Sequence, residues 1–565
     1  MKEYTIGQVS AILNVKPHII RYWERELPFI SPKKSLSGRR VYSERDLQLL
    51  FRLKYLIYEK GYTVSGAGNR IWEDITGKSS DIVAEIRVIR GELLNILSNL
   101  SFRRFLRGME DVIKRFEEVG QGHLFAFWDK RRDVEKEALI MDLETLDLSL
   151  IDSLRKRLKE AKPAKPNFKP VDYVSVDRAR ADVDAFTIGE EFIRNGKTCF
   201  LTVAGGQGSR LGFDGPKGMF EISPIRKASL FQIFAEKILS ANRKYGLKMP
   251  WLIMTSPLNY EDTKNFFESK NYFGLEREYV YFFNQGVLPS MYPDGRLVLN
   301  VDGGLFKNPN GHGGVIGALK DSGLIERLKS MGIEEIFYFQ VDNPLVNIPD
   351  PLFLGWHIRQ GSQMSSKVIK KAFPEEKLGS IGLINGKPGV IEYSDLDREL
   401  MYLRDEKGEL LYSQGSIAVH ILNLGFIESQ QGKLPYHLAR KRVQALIPTA
   451  KGTEIKEEEV IKFEMFLFDA IPAAKNPLFF ETERREEFSP LKNREGVDSI
   501  ATCIRGQIEK YAFWLEKLGV RVPRDDRGNS VYAVEISPLF ASNFEELRAK
   551  KDELPDEINK DTLFE

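Results

Sequence analysis

The run Cys199-Phe200-Leu201-Thr202-Val203-Ala204 carries no charge, is rich in β-branched and aromatic side chains, and stops on Gly205-Gly206-Gln207-Gly208. Such a run reads as a buried strand, expected over residues 199–204. Glycines directly after a strand let the backbone turn tightly and approach a ligand with no Cβ in between. Successive backbone N–H groups in such a loop form a concavity for anions. Arg210 and Lys217 follow, and a helical pattern resumes over 229–242. A guanidinium can fork onto phosphate oxygens, while an ammonium acts as a point charge. Strand, glycine loop, two cations and helix, in that order, suit a phosphorylated ligand. For the loop taken alone, a plain strand-to-helix turn is the alternative. Its spacing, G-G-x-G-x-R, matches neither the P-loop nor the dinucleotide fingerprint.

The same alternation continues. Strands are expected over 251–255, 280–283, 335–341 and 366–370, and helices over 260–269 and 314–331. This predicts an α/β fold with a doubly wound, mostly parallel sheet, whose ligands sit at the carboxyl ends of the strands. The glycine loop, Asn284-Gln285-Gly286 and Asp342-Asn343 all fall at such ends.

The N-terminal segment has another character. Thr5 is a plausible cap for a short helix with the apolar face Ile6, Val9, Ile12 and Leu13, and Pro17 opens a second helix after a tight turn. Two short helices joined this way read as helix-turn-helix. Lys33, Lys34, Arg39 and Arg40, with Gly38 between them, then read as a basic wing. Residues 1–70 hold thirteen Lys and Arg against six Asp and Glu, although the whole chain has a formal charge of only +2. "YTIGQVSAILNVKPHIIRYWERE" and "SGRRVYSERDLQLLFRLKYLIYEKGYTV" closely resemble the DNA-binding domain of the MerR family of regulators. The resemblance implies a winged helix-turn-helix bound to duplex DNA. His18, Arg21 and Tyr22 would face the major groove, and Arg39, Arg40 and Tyr42 would grip phosphates. Beyond it, Ile82, Ile86, Ile89, Leu93, Ile96 and Leu100 are spaced as a short a/d seam, which would pair two chains into a homodimer or pack the helix on its own domain.

In the body, "AGGQGSRLGFDGPKG", "FFNQG", "NPNGHGGV", "FQVDN", "GVIEYSDL", "IKFEMFLFD" and "EEFSPLKN" occur in that order. Together they resemble the eukaryotic-type UDP-sugar pyrophosphorylases, above all those acting on UDP-N-acetylglucosamine. The resemblance implies a nucleotidyltransferase core with small flanking domains, which joins UTP and a sugar 1-phosphate with release of pyrophosphate. It also implies roles. Gly205, Gly206, Gly208 and Arg210 would wrap the UTP phosphates, with Lys217 near the reacting centre. Gln285 and Gly311 would read the uracil, with His312 beside the phosphates or sugar. Gly389, Glu392 and Ser416 would hold the sugar, Lys462 would meet its phosphate, and Asp342 would support Mg²⁺. Ser416 stands where the N-acetylglucosamine enzymes tend to carry Asn, so glucose 1-phosphate and galactose 1-phosphate stay as alternatives.

These residue types suit the chemistry. A sugar phosphate is already an anionic nucleophile at neutral pH and needs no general base. The obstacle is two polyanions meeting, which cations and Mg²⁺ must offset. A regulator whose pyrophosphorylase-like body only senses sugar nucleotides is the competing reading. The expected domains are 1–75 (winged helix-turn-helix), 76–120 (helical linker), 121–180 (helical lead), 181–480 (nucleotidyltransferase) and 481–565 (C-terminal). Two cysteines, Cys199 and Cys503, provide no disulfide framework or metal spacing. MKEYTIGQVS does not read as a signal peptide, and no apolar run approaches the ~20 residues of a membrane span. A cytoplasmic protein is the expectation.

Overall fold

The computed structural model describes residues 3–34, 40–76, 109–160 and 167–565. The chain divides into two compact units. One comprises Met1–Lys159, Pro289–Lys307 and Arg440–Lys462, and the other comprises Glu160–Leu288, Asn308–Ala439 and Phe463–Glu565.

The first unit opens with β1 (Glu3–Thr5) and α1 (Ile6–Leu13). Thr5 caps α1 as the sequence suggests, and Gln8 returns a bond to the Thr5 amide at 2.9 Å, closing a capping box. Asn14 ends α1 in the left-handed region, and Pro17 begins α2 (Pro17–Glu26). Val9, Leu13, Ile20 and Trp23 are buried and lock the two helices together. The wing is the antiparallel pair β2 (Lys33–Lys34) and β3 (Arg40–Ser43), with β1 on the far edge of β3. Helices α3 (Glu44–Lys54) and α4 (Val64–Thr76) complete the winged helix-turn-helix. Arg39 and the seam expected over 82–100 lie outside the described residues. Farther along are α5 (Asp133–Glu144), α6 (Leu148–Lys159) and the long hairpin of His437–Thr449 with Gly452–Glu464.

The second unit is built on a sheet. Its elements are α7 (Val183–Arg194), β4 (Thr198–Val203), α8 (Leu230–Tyr245), β5 (Trp251–Thr255), α9 (Tyr260–Ser269) and β6 (Val280–Asn284). Then come α10 (Val315–Asp321), α11 (Leu324–Ser330), β7 (Glu335–Gln340), α12 (Pro351–Gln360), β8 (Met364–Lys370), β9 (Ser380–Ile384), β10 (Lys387–Ile391), β11 (Gln414–Asn423), β12 (Leu478–Glu481) and α13 (Ile500–Lys517). The strand order is β10-β9-β11-β7-β4-β5-β6, and β8 pairs with β11 and β12. Only β7, β4, β5 and β6 form the expected parallel run. β11 is antiparallel to both β7 and β8, so the sheet is mixed rather than mostly parallel. The helix expected over 314–331 is two helices, because Gly323 sits at φ 70° and breaks the run. Buried β4, β5 and β7 side chains form the cores on the two faces of the sheet, with Phe200, Trp251 and Phe337 in one and Leu201, Leu252 and Ile336 in the other. No helix among the described residues is long and apolar enough to cross a membrane.

Candidate active site

The parallel order reverses between β4 and β7, which is where open α/β sheets hold their ligands. The glycine loop leaves β4 there and Asp342 leaves β7. The two ends are tied by the Val341 amide, which donates to the Val203 carbonyl at 3.1 Å.

The loop is pinned from within. Gly208 N–H donates to Gly215 C=O at 2.8 Å, and Lys217 N–H donates to Gly206 C=O at 3.0 Å. Asn259, fully buried, donates from Nδ2 to Ala204 C=O at 3.1 Å, while its Oδ1 accepts from Ser256 N–H at 2.8 Å. The loop backbone is therefore fixed before any ligand arrives. Gly206 is exposed, and a Cβ there would meet nothing within 4 Å. Open space over a glycine in a pinned loop is what a close-lying phosphate needs. Arg210 is exposed beside it, and Lys217 is half-buried.

Gly205 has a different reason to be glycine. A Cβ there would lie 2.8 Å from Gln285 Oε1. Gln285 is 7% exposed, and its Nε2 donates to Gly311 C=O at 2.7 Å. Gln285 and Gly311, the two residues expected at the uracil, are thus bonded to each other, and Gly205 of the loop expected at the phosphates lies against Gln285. Gly311, at φ 81°, is pressed against Met465, whose carbonyl would be 2.4 Å from a Cβ. His312 Nδ1 accepts the Leu467 amide at 3.2 Å, and its ring stacks on Phe466. Burial, helped by His437, lowers its pKa to about 4. His312 is therefore a neutral ring that shapes a wall, with one nitrogen already occupied.

Asp342 is half-buried. The loop after it is held by buried lysines that sequence reasoning missed. Lys237 Nζ donates to the carbonyls of Pro344 and Val346 at 2.6 Å each, and Lys510 reaches Leu345 C=O at 3.3 Å. Burial pushes the Lys237 pKa well below the usual lysine value. Asn343 is clamped at both ends, donating to Glu487 C=O at 2.7 Å and accepting from Ser489 N–H at 3.1 Å. Among the described residues no three His, Cys, Asp or Glu side chains converge as a metal cage. A single carboxylate at this strand end fits Mg²⁺, which typically takes one or two carboxylates and fills its shell with phosphate oxygens and water.

On the sugar side, Ser416 N–H donates to Gly379 C=O at 2.8 Å, and a Cβ on Gly379 would lie 3.8 Å from Glu392 Oε1. The glycine between Glu392 and Ser416 is thus Gly379. Gly389 is buried opposite Gly382 in the β9–β10 ladder, and the space over its Cα belongs to Ile384, so strand packing accounts for a glycine there. Burial, with Asp395 and Asp469 nearby, raises the Glu392 pKa, and His437 and Lys492 oppose that rise. His437 and Asp469 are themselves paired at 2.7 Å. Lys462, on Gly452–Glu464, belongs to the first unit.

In the winged helix-turn-helix, His18, Arg21 and Tyr22 are exposed on α2, as groove contact requires. Arg40 is exposed too, but its Nε pairs with Glu24 at 2.7 Å. Tyr42 is fully buried and its hydroxyl donates to Glu24, so it cannot grip a phosphate; instead it supports Glu24 and, through it, Arg40.

Residues 156–505 match the family model described as UTP–glucose-1-phosphate uridylyltransferase, and residues 4–70 match that of the MerR HTH family regulatory protein. The chain is similar to UDP-N-acetylglucosamine diphosphorylase 2 of Arabidopsis thaliana, with 36% identity over 469 residues, covering 78% of this chain and 91% of the relative. It is similar to the UDP-N-acetylglucosamine pyrophosphorylase of Saccharomyces cerevisiae, with 33% identity over 73% of this chain and 92% of the relative. The solved UDP-N-acetylglucosamine pyrophosphorylase of Trypanosoma brucei, in complex with an inhibitor, superposes with a TM-score of 0.67 at 27% identity, covering 81% of this chain and 98% of that one.

Proposed function

The chain belongs to the UTP–glucose-1-phosphate uridylyltransferase family, carrying a MerR-type module ahead of the enzyme, and from that premise we propose that it makes UDP-N-acetylglucosamine and pyrophosphate from UTP and N-acetylglucosamine 1-phosphate. The observation that supports this reading most is that relatives carrying that activity in their names match over nine-tenths of their own length. The sugar phosphate oxygen attacks the α-phosphorus of UTP. The new P–O bond forms as the bond to the β-phosphate oxygen breaks, and pyrophosphate leaves on the opposite side.

The residues divide the work. The pinned glycine loop and Arg210 receive the triphosphate, and Lys217 offsets charge at the reacting phosphates. Gln285, fixed by Gly311, presents an amide that can both donate to and accept from the uracil edge. Glu392 and Ser416 take sugar hydroxyls, and Lys462 meets the sugar phosphate. Asp342 would hold Mg²⁺, which when bound supplies positive charge against the phosphates. The exposed face of α2 would enter the major groove of duplex DNA.

Pyrophosphate release with UTP and a panel of sugar 1-phosphates tests the reading. N-acetylglucosamine 1-phosphate should be the best substrate. Ser416 favours including glucose 1-phosphate and galactose 1-phosphate, and a clear preference for either would replace the N-acetyl sugar. Absence of turnover with every sugar would leave the sensor alternative.

A further inference from the structure

Three strands of the second unit meet in one rung beside the residues proposed for the sugar. Ser380 opens β9, and it pairs antiparallel with Ile391 at the end of β10 and with Gly415 near the start of β11. Because both pairings are antiparallel, the next rung out consists of Glu392, Gly379 and Ser416. The Ser416 amide donates to Gly379 C=O at 2.8 Å, and a Cβ on Gly379 would lie 3.4 Å from Ile391 C=O and 3.8 Å from Glu392 Oε1. The rung centred on Ser380 therefore sets the spacing of the sugar residues. Successive residues on a strand leave opposite faces, so the Ser380 side chain points away from the face that Ser416 presents.

Ser380 is gripped from that other face. Lys371 follows β8. Its amide donates to Ser413 C=O at 2.7 Å, and its Nζ donates to Ser380 Oγ at 2.6 Å. One residue thus ties the end of β8 to the start of β9 and to the residue ahead of β11. Lys371 is 7% exposed and Ser380 is fully buried. Among the described residues, the ammonium bonds to this hydroxyl and to no carboxylate. A buried ammonium with only a neutral acceptor is costly unless a negative charge lies near. Two carboxylates are within electrostatic reach, Glu376 and Glu392, and they oppose the downward push of burial on the Lys371 pKa. Glu376 is already committed. Arg484 donates to both of its oxygens at 2.7 Å, and the Ala372 amide donates to one of them at 2.7 Å. Glu392 is the carboxylate left for Lys371. Burial, Asp395 and Asp469 disfavour the charge on Glu392, while His437 and Lys492 favour it, and Lys371 adds a further cation.

We infer that Lys371 is a positioning residue for the sugar 1-phosphate, fixing the rung of Glu392, Gly379 and Ser416 through Ser380 and supplying a buried positive charge within reach of Glu392. The inference rests on the proposed reading of that rung as the sugar site. Lys371 touches no substrate in this role. Its bond to Ser380 holds Gly379 between Glu392 and Ser416, and its charge keeps Glu392 an acceptor for sugar hydroxyls. The effect should be confined to the sugar, because neither the glycine loop nor the Gln285–Gly311 pair belongs to these rungs.

The test is steady-state kinetics of the full chain with UTP and N-acetylglucosamine 1-phosphate across pH, with thermal melts alongside. Lys371→Met keeps the length of the side chain and loses the ammonium. Its KM for the sugar phosphate should rise about tenfold, the scale of one buried charged hydrogen bond, while its KM for UTP stays within about twofold of the wild type. Loss of the cation raises the pKa of Glu392, so the acid limb of kcat/KM for the sugar phosphate should move to higher pH. Titration of the sugar phosphate itself is common to every variant. Lys371→Arg should return the acid limb to its wild-type position. Ser380→Ala, which removes the acceptor and leaves the charge, should raise the sugar KM with the acid limb in place. An unchanged sugar KM and acid limb in Lys371→Met would overturn the inference, as would equal rises in both KM values, the mark of a general loss of structure. Should Lys371→Met fail to fold, Ser380→Ala decides: a raised sugar KM beside an unchanged UTP KM supports the inference, and any other pattern overturns it. If the wild type prefers a different sugar 1-phosphate, the same comparison is made with that sugar. A wild type with no turnover of any sugar phosphate and no binding of UDP-N-acetylglucosamine refutes the enzymatic reading, and the inference falls with it.

Discussion

Lys217 Nζ donates to the carbonyl oxygen of Leu491 at 3.3 Å, and the Leu491 amide donates in turn to Asp342 C=O at 2.8 Å. One residue of "EEFSPLKN" thus joins the cation after β4 to the main chain of Asp342 after β7. Lys217 is held close to where charge would build up, with a weak bond that a phosphate can displace.

We expect Lys217→Ala to lower turnover by about 30- to 1,000-fold, the ~2–4 kcal/mol of one electrostatic contact at a reacting phosphate. The variant should keep its circular dichroism and melting temperature, because the lysine is half-buried and its bond to the Leu491 carbonyl is long, at 3.3 Å. Steady-state kinetics with UTP decide it. Near wild-type turnover would remove Lys217 from the reacting centre.

Two neighbouring glycines should separate binding from packing. In Gly206→Ala the new methyl meets nothing within 4 Å, so stability should hold while the KM for UTP rises if a phosphate lies over that position. In Gly205→Ala the methyl falls 2.8 Å from Gln285 Oε1, which must move and give up its 2.7 Å bond to Gly311. That variant should lose discrimination between UTP and other nucleoside triphosphates. Equal selectivity in both variants would refute the proposed uracil pocket.

Acid stability should depend on His420. It is 1% exposed, its Nδ1 bonds to Ser366 Oγ at 2.8 Å, and Nε2 is buried without a partner. Burial, with His312 nearby, brings its pKa down to about 3. Between about 3 and the ordinary ~6.5, the unfolded chain binds a proton that the folded protein refuses. Stability is then fully present above about 6.5 and falls as pH drops through that window, by on the order of 3 kcal/mol for a group this buried. His420→Gln should flatten that limb, measured as a smaller loss of denaturation midpoint between pH 7 and pH 5. An unchanged loss would mean that other groups carry it.

The sequence revealed what is local and periodic. The strand before the glycine loop, the cap at Thr5 and Pro17 at the start of α2 follow from patterns that neighbouring residues enforce, whereas Gln285 and Gly311 are placed together by the family resemblance alone. What it concealed depends on partners distant in the chain. Nothing near Lys237 announces that its ammonium reaches the carbonyls of Pro344 and Val346, a hundred residues away. Asn259 could have been suspected, since it follows β5 at the ligand-bearing ends of the sheet. Gly389 and Gly379 cannot be told apart by composition, because only strand register puts Ile384 over one and Glu392 beside the other. Tyr42 is placed among the phosphate-gripping residues by the MerR resemblance, but strands alternate faces, and the register of β3 turns Tyr42 into the core.

The same distinction makes the DNA-binding face testable by separating contact from support. Arg21 is exposed on α2, with no ion pair among the described residues, so its charge is available to DNA. Tyr42 is buried and donates to Glu24, whose side chain is 7% exposed and also pairs with Arg40. Arg21→Ala should weaken binding to duplex DNA and reduce the slope of log K against log salt by about 1 if it meets a phosphate, leaving the melting temperature unchanged. Tyr42→Phe should do the reverse. It strips one donor from a nearly buried carboxylate, a loss of about 1–3 kcal/mol in the stability of the module, with no counterion released or retained. Its salt slope should therefore match the wild type at temperatures where the module is folded. Titrations of both variants against one duplex at several salt concentrations, with thermal melts alongside, settle the assignment. A salt slope that falls in Tyr42→Phe would return that residue to the phosphate-gripping set, and an unaltered slope and affinity in Arg21→Ala would take α2 away from DNA.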